Sequence, residues 1–494
     1  MRPTSGPASF SSVIIRQCSW KIIEREKQTP SLPQDGRETG TSINVNKTYD
    51  LVIVGAGPAG LMAAKTAGEN GLRVALLERK ESITEILRAC GMMIVTLSSE
   101  YMGERVTLNA KEGRLCFPKH GFSVKYSGPH KDFFAWEIYS PSEHLVTLGD
   151  YEENIKKGEE GRASAVYDKQ ILLEGLLAEA RRCSVDVFPA TNVVNVRKEK
   201  YWIEVITSEG KIFKGSFIIA ADGRNSRIAR VLGFNQERRF YGTINSQGYE
   251  MEGLTLPHPH ALVQVLIESG RESKIAFITP RAQGENTYMV IVSDLNPQTD
   301  KEGFFDYFTT KSRFAPWFKH ARRIKRIGVC GNMWVPIEDP FKENVILVGD
   351  AGWCQEAEMT GAVMCGWKAA HTVTSALIEG KVNREGVQSY LDWWKKHHID
   401  RLDYNVLLRN LVMPIICTNE EIDYVFSRIR EPLPTRLDPY ETPRFVAEGL
   451  QRAMPVIQQE RPQLVTKLMR FSNFPLEIIL NPTIRAGFPS RFSM

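Results

Sequence analysis

The chain has 494 residues, too long for one small core, so two or three lobes are expected. Its 63 Lys and Arg nearly balance 58 Asp and Glu, and no basic stripe is interleaved with aromatics, which argues against nucleic acid as a partner. The cysteines include no C-x-x-C pair, against a zinc knuckle, a thioredoxin-type pair or a cysteine-held iron–sulfur cluster, and read as reduced intracellular thiols; no apolar run is long enough to span a bilayer.

Residues 1–47 read as an N-terminal extension. Arg2, Arg16 and Lys21 stand among serines and apolar residues with no acid before Glu24, a pattern that fits organellar import; a disordered extension is the plainer reading. At "YDLVIVGAGPAGLMAAKTAGENGLRVALLERK" the apolar run Leu51 to Val54 suits a strand buried on both faces, and Gly55, Gly57 and Gly60 follow at G-x-G-x-x-G spacing, opening a helix over Leu61 to Asn70. Gly55 makes the tight turn, Gly57 admits a pyrophosphate close to the backbone, and Gly60 lets helix pack on strand. A second strand ends at Glu78, whose carboxylate would hydrogen-bond an adenosine ribose. This ordered set predicts a dinucleotide site without separating NAD from FAD.

The charged, glycine-bearing stretch 149–165 reads as a solvated loop or a lid. "YWIEVIT" and "GKIF" form a hairpin, and "GSFIIAADGRNSRIARVLG" runs as a buried strand into Ala221-Asp222-Gly223, where Asp222 either orients a cofactor or simply caps the next helix. "KIAFITPRAQGENTYMVIV" alternates as a sheet does. "ENVILVGDAG" gives another buried strand, Val345 to Val348, ending at Gly349-Asp350, with a helix expected near Gly361. After residue 386 the apolar spacing turns helical; Trp393 and Trp394 read as core, and the adjoining His397 and His398 do not make a metal site. The tail with Lys467, Arg470 and Arg485 is expected to pack against the nucleotide-binding lobe, with rest on a membrane surface as the alternative.

G-x-G-x-x-G…Glu, then Ala-Asp-Gly, then Val-Gly-Asp-Ala, in this order over about residues 48–385, resembles the flavoprotein family of para-hydroxybenzoate hydroxylase. The resemblance implies FAD as the bound nucleotide. It places Gly55, Gly57, Ala59, Gly60, Glu78 and Arg79 at the ADP half, Asp222 and Gly223 at the pyrophosphate, and Gly349 and Asp350 at the ribityl chain; Val193, Gly361 and Ala362 join the cofactor set. The helix start near Gly361 would stabilise negative charge on a reduced ring.

In "EILRACGMMIV", Arg88-x-Cys90-Gly91 resembles the geranylgeranyl reductase branch. That likeness implies Arg88 at a flavin phosphate and Cys90 and Gly91 beside the ring, with a small buried hydrophobe as the bland reading of Cys90. Phe277 and Pro280 become candidates for a substrate wall, or plain sheet residues. Lys169 and Leu173 stand where the family carries an arginine and an aspartate, and Glu356 and Glu358 occupy a loop where lipid-reducing relatives carry proline; both acids are candidate proton donors or solvated loop charges. Cys90, Glu356 and Glu358 are thus the catalytic candidates. No W-x-W-x-I-P segment points to a halogenase, and no second G-x-G-x-x-G unit appears, so NAD(P)H docks transiently or a carrier protein brings electrons.

The expected fold class is α/β: a Rossmann-type FAD-binding domain (48–235 with 321–385, about 95–165 partly inserted into the substrate domain), a discontinuous β-sheet substrate domain (236–320) and a helical C-terminal region (386–494). The expected activity is FAD-dependent hydride transfer through flavin N5 to or from a carbon–carbon double bond of an apolar or small organic substrate. An NAD(P)H-dependent aromatic monooxygenase and a non-catalytic flavin-binding redox partner are the alternatives. No metal is expected, and the expected location is cytoplasmic unless the extension directs import.

Overall fold

Strand β1 (Thr48–Val54) forms because its apolar run can be covered on both sides, and Leu51, Val52 and Ile53 have no exposed surface. The computed structural model describes residues 47–95, 100–269, 272–296, 298–352, 359–401, 403–435 and 441–480. Helix α1 (Pro58–Glu69) follows, with Pro58 at its first position, and leads to β2 (Val74–Leu77). Gly55 has φ +99, and a Cβ there would lie 2.3 Å from the Ala221 carbonyl oxygen, so only glycine fits this turn.

The strand Ile212–Ala220 lies parallel to β1 on the side away from β2, and Val345–Leu347 lies parallel to it in turn. Val54 pairs with Ala220 and Ala220 with Leu347, so three strands far apart in sequence end in one row. Asp186–Phe188 extends the sheet beyond β2, while Ile203–Thr207 and Val193–Lys198 add the expected antiparallel hairpin. Ligands of such sheets bind beyond the carboxyl ends of the strands, which here means beyond Val54, Ala220 and Leu347.

A second sheet of seven strands runs in the spatial order Arg322–Trp334, Phe240–Glu252, Thr287–Asp294, Glu272–Pro280, Ala261–Ser269, Ala135–Tyr139, Leu145–Leu148. One face buries Val263, Val265, Ala276, Ile278, Val290 and Val292 under Phe305, Phe308, Phe314 and Phe318. On the other, Phe277, Met289, Ile291 and Ile327 meet Ala89. The alternation of period two read in "KIAFITP" is the physical cause of this division.

Two expectations need correction. The stretch 149–165 is a helix, α2 (Tyr151–Lys156), capped by Asp150, then a wholly buried strand Ser164–Tyr167. Its charges obscured the cap and the buried Tyr151 and Asn154, which are all a one-turn amphipathic helix needs. The tail does not lie on the nucleotide-binding sheet: Leu476, Ile479 and Leu480 pack with Tyr241 and Met333 of the seven-stranded sheet, and Lys467 pairs with Glu421 at 2.6 Å. Arg485 lies outside the described residues. Trp394 is core as expected, its Nε1 donating to the Ile337 carbonyl at 2.7 Å. Among the described residues no helix is long and apolar enough to cross a membrane.

Candidate functional site

At the end of β1, Gly57 is the N-cap of α1, and a Cβ added there would meet nothing within 4 Å. Helix α1 has no capping side chain and no acid in its first turn, so its first N–H groups face that open space as anion donors. Gly60 instead is packed: its Cβ would lie 1.8 Å from the Gly55 oxygen. The buried Glu78 accepts from Ala56 N at 2.7 Å through Oε2 and from Lys80 N at 2.9 Å through Oε1, which fixes its carboxylate at the end of β2. Arg79 points to solvent, and Val193 packs in the apolar cluster with Val54 and Ala220 below the strand ends.

The second strand end brings Asp222 against this turn, since a Cβ on Gly55 would lie 2.9 Å from the Asp222 Cα. Asp222 Oδ2 accepts from Arg227 N at 2.8 Å and Ile228 N at 3.3 Å. The N-cap of the short helix Arg227–Val231 is nevertheless Ser226, whose hydroxyl accepts from Ala229 N. Asp222 Oδ1 is buried without a hydrogen-bond partner among the described residues, and burial pushes its carboxyl pKa up against those bonds. Gly223 beside it has φ +80 and open space where a Cβ would stand.

The third strand end supplies Gly349, with φ +54, whose Cβ would meet the methyls of Ala59 at 3.4 Å and Ala362 at 3.9 Å. The long helix Thr360–Ile378 then crosses α1 backbone to backbone, for a Cβ on Gly366 would lie 2.0 Å from the Ala59 oxygen. That helix also starts without a capping side chain or an acid, and Gly361 is buried in its first turn. Thr360 Oγ1 accepts from Val95 N at 2.8 Å, tying the helix start to the segment after Cys90. Arg88 reaches Asp350 at 3.3 Å across the gap between the two segments. An uncapped pair of helix ends, an orphaned buried carboxylate oxygen and glycines with open space in front of them suit a long, phosphate-bearing, hydroxyl-rich ligand such as FAD.

Cys90 is partly buried among cations rather than in an apolar nest. Lys169 Nζ, itself buried, lies 3.5 Å from Cys90 Sγ, and Met92 N donates to the sulfur at 3.4 Å. Arg281 Nη1 donates to the Cys90 carbonyl at 2.8 Å. Burial alone would push the thiol up, but Lys169, the Met92 N–H, Arg88 and Arg281 together draw its pKa below the ordinary value. The bland reading of Cys90 as a small hydrophobe therefore misses its electrostatics. Gly91 is half-buried beside it.

A cavity of about 1050 Å³ opens between the segment 85–92, the start of α3 (Lys169–Arg182) and the seven-stranded sheet. Arg88, Met92, Asp168, Glu250 and Arg281 are on its walls, with Leu87 exposed at its margin. Phe277 packs against Ala89 behind this wall, and Pro280 is buried, paired with Tyr288; the residue after it, Arg281, is the one that reaches the cavity. Arg281 and Glu250 carried no signal in the sequence: a lone charge at a strand end reads as a turn residue until the fold shows what surrounds it. Glu356 and Glu358 lie outside the described residues.

Comparisons with known proteins bear on this geometry. The family described as FAD binding domain matches residues 48–355. Digeranylgeranylglycerophospholipid reductase of Methanocaldococcus jannaschii is 22% identical over 416 residues, covering 81% of this chain and 95% of that protein. Rifampicin monooxygenase of Streptomyces venezuelae is 27% identical over 186 residues, but covers only 37% of this chain and 34% of its own. A solved geranylgeranyl bacteriochlorophyll reductase-like protein of Thermoplasma acidophilum has TM-score 0.60 at 19% identity, covering 86% of this chain and 99% of that one, a likeness of fold.

Proposed function

Because the chain belongs to the FAD binding domain family, and so to the FAD-dependent oxidoreductases, we propose that it transfers hydride to or from a carbon–carbon double bond of an apolar or small organic substrate. The observation that carries the reading is the convergence of Gly55, Asp222 and Gly349 from three strand ends beside a cavity bordered by Cys90's segment. The near full-length likeness to proteins named as reductases supports reduction over oxygenation. Bound FAD supplies the hydride chemistry.

The chain's own residues do the rest. The start of α1 holds the pyrophosphate, Glu78 the adenosine ribose, and Asp350 with Asp222 the ribityl and phosphate region, while Arg88 links Asp350 to the substrate side. The opening turn of Thr360–Ile378 stabilises negative charge on the reduced ring. Cys90 Sγ, poised by Lys169, holds or releases a proton beside the substrate, with Glu356 and Glu358 as further proton donors. Reducing equivalents come from transient NAD(P)H or from an electron-carrier protein.

The alternative is an NAD(P)H-dependent monooxygenase, favoured only by the partial likeness to rifampicin monooxygenase; a non-catalytic flavin-binding redox partner stands behind it. Purified, FAD-loaded enzyme reduced with dithionite without oxygen should be reoxidised by an activated alkene. Reoxidation only by oxygen, with substrate-stimulated stoichiometric uptake, would sink the reductase reading in favour of the oxygenase, and reduced flavin that passes electrons to neither would leave the binding partner.

A further inference from the structure

Lys169 is the first residue of α3 and only 7% exposed. Its Nζ lies 3.5 Å from Cys90 Sγ, and among the described residues it forms no ion pair with a carboxylate. The helix turns its positive end toward this lysine, and Lys80 is a second cation nearby. A buried ammonium at a helix start, bonded to a thiol instead of a carboxylate, is in an unfavourable place.

The sulfur is the other half of the pair. Cys90 is half-buried, whereas Cys365 and Cys417 are buried. Its cationic surroundings favour the thiolate, which is the form that peroxide attacks to give sulfenic acid. A sulfenic acid condenses with a neighbouring nitrogen, and two stand close: Lys169 Nζ at 3.5 Å and Met92 N at 3.4 Å. The Met92 nitrogen is an amide, its lone pair delocalised into a carbonyl. The Lys169 nitrogen is an amine once it gives up a proton, and so the better nucleophile.

We propose that Cys90 and Lys169 form a reversible sulfenamide when hydrogen peroxide oxidises the thiol. The thiolate attacks the peroxide O–O bond, forming the S–O bond of sulfenic acid and releasing hydroxide, which takes a proton from the ammonium. The Lys169 amine then attacks sulfur: the S–N bond forms, the S–O bond breaks, and the oxygen leaves as water with a second proton from nitrogen. Thiolate, ammonium and peroxide thus give sulfenamide and two waters, the electron pair lost by sulfur passing to the peroxide. A dithiol reverses it, returning both side chains. The bond ties the segment 85–92 to the start of α3, both on the cavity wall, and holds the thiol out of proton transfer. An arginine in place of Lys169 could not take part, since its guanidinium keeps its proton. The inference goes beyond the oxidoreductase reading and does not need it.

The test treats FAD-loaded enzyme with hydrogen peroxide, blocks remaining thiols with iodoacetamide and reads the peptides by mass spectrometry. The expected product is the Cys90 peptide joined to the Lys169 peptide, lighter than their sum by the mass of two hydrogens and separated by dithiothreitol. In Lys169→Arg, which keeps the positive charge, the joined pair should be lost and dimedone should label Cys90 as sulfenic acid. The wild-type result carries the test if that variant does not fold. The readout is a covalent bond, so its failure leaves the reductase reading untouched. Dimedone-labelled Cys90 in the wild type with no joined peptide, a sulfenamide closed within the Cys90 peptide through Met92 N, or a Cys90 that peroxide leaves unmodified overturns the proposal.

Discussion

At the scale of single residues, the site is a set of buried charges whose neighbours fix their protonation. Cys90 has a lowered pKa because Lys169 outranks its other favourable contacts, so removing that ammonium should return the thiol toward the ordinary 9.0. Lys169→Met is expected to shift the pH midpoint of Cys90 alkylation, followed by peptide mass spectrometry, upward; an unchanged midpoint would show that the lysine does not set it. Glu78 is legible from sequence, but its two bonds to Ala56 and Lys80 backbone N–H groups are not. Glu78→Ala strands a buried N–H and removes the ribose acceptor, and should weaken FAD binding by about tenfold to a hundredfold, measured by equilibrium fluorescence. Arg281 and Lys169 gain their meaning from partners 191 and 79 residues away, which no local pattern reports.

At the scale of elements, the close crossing of α1 and Thr360–Ile378 brings Ala59 and Ala362 both up to Gly349. The crossing point itself leaves no local mark in the sequence. Gly366→Ala would drive a methyl to 2.0 Å from the Ala59 carbonyl oxygen, and backbone cannot swing aside as a side-chain end can. The expected cost is about 3 kcal/mol, with a lower Tm and loss of FAD retention in calorimetry and gel filtration. An Ala substitution at Gly210, a turn with open space and φ +77, costs only about 1 kcal/mol of local backbone strain and should retain FAD, so it serves as the control for FAD retention. The short helix Tyr151–Lys156 was missed because one capped turn with two buried residues gives periodicity too little length.

At the scale of the molecule, the C-terminal region covers the seven-stranded sheet, with Ile422 and Phe426 of a helix and Leu433 of the segment after it set against Ile138, Leu148 and Leu266. Between this region and the helix Thr360–Ile378, His398 Nε2 lies 3.3 Å from Cys365 Sγ, and its ring is 4.2 Å from that of Trp394. Burial, with help from nearby charges, lowers His397 to about 4 and His398 to about 3. In the unfolded chain both would protonate near 6.5. The unfolded state therefore takes up protons the folded state refuses, so this stability is full above that value and is lost as pH falls from 6.5 toward 4 and 3. Urea midpoints should drop across this window, and His398→Leu should flatten the slope; parallel slopes in the two proteins would place the acid sensitivity elsewhere.

The order of motifs from Gly55 to Asp350 by itself determined an α/β dinucleotide-binding fold, because strand, glycine turn and helix obey local sterics and recur at readable spacing, while FAD as the nucleotide rested on the family resemblance of the three segments together. Local sterics do not choose between two faces of a sheet or between two lobes for a tail. Tertiary structure alone decided that Val54, Ala220 and Leu347 end in one row, that Cys90 lies beside Lys169 and Arg281, and that the last helices rest on the antiparallel sheet. Each of these depends on pairings between residues far apart in the chain, where the interaction free energy of a charge or a buried face is set by neighbours that its own segment does not contain.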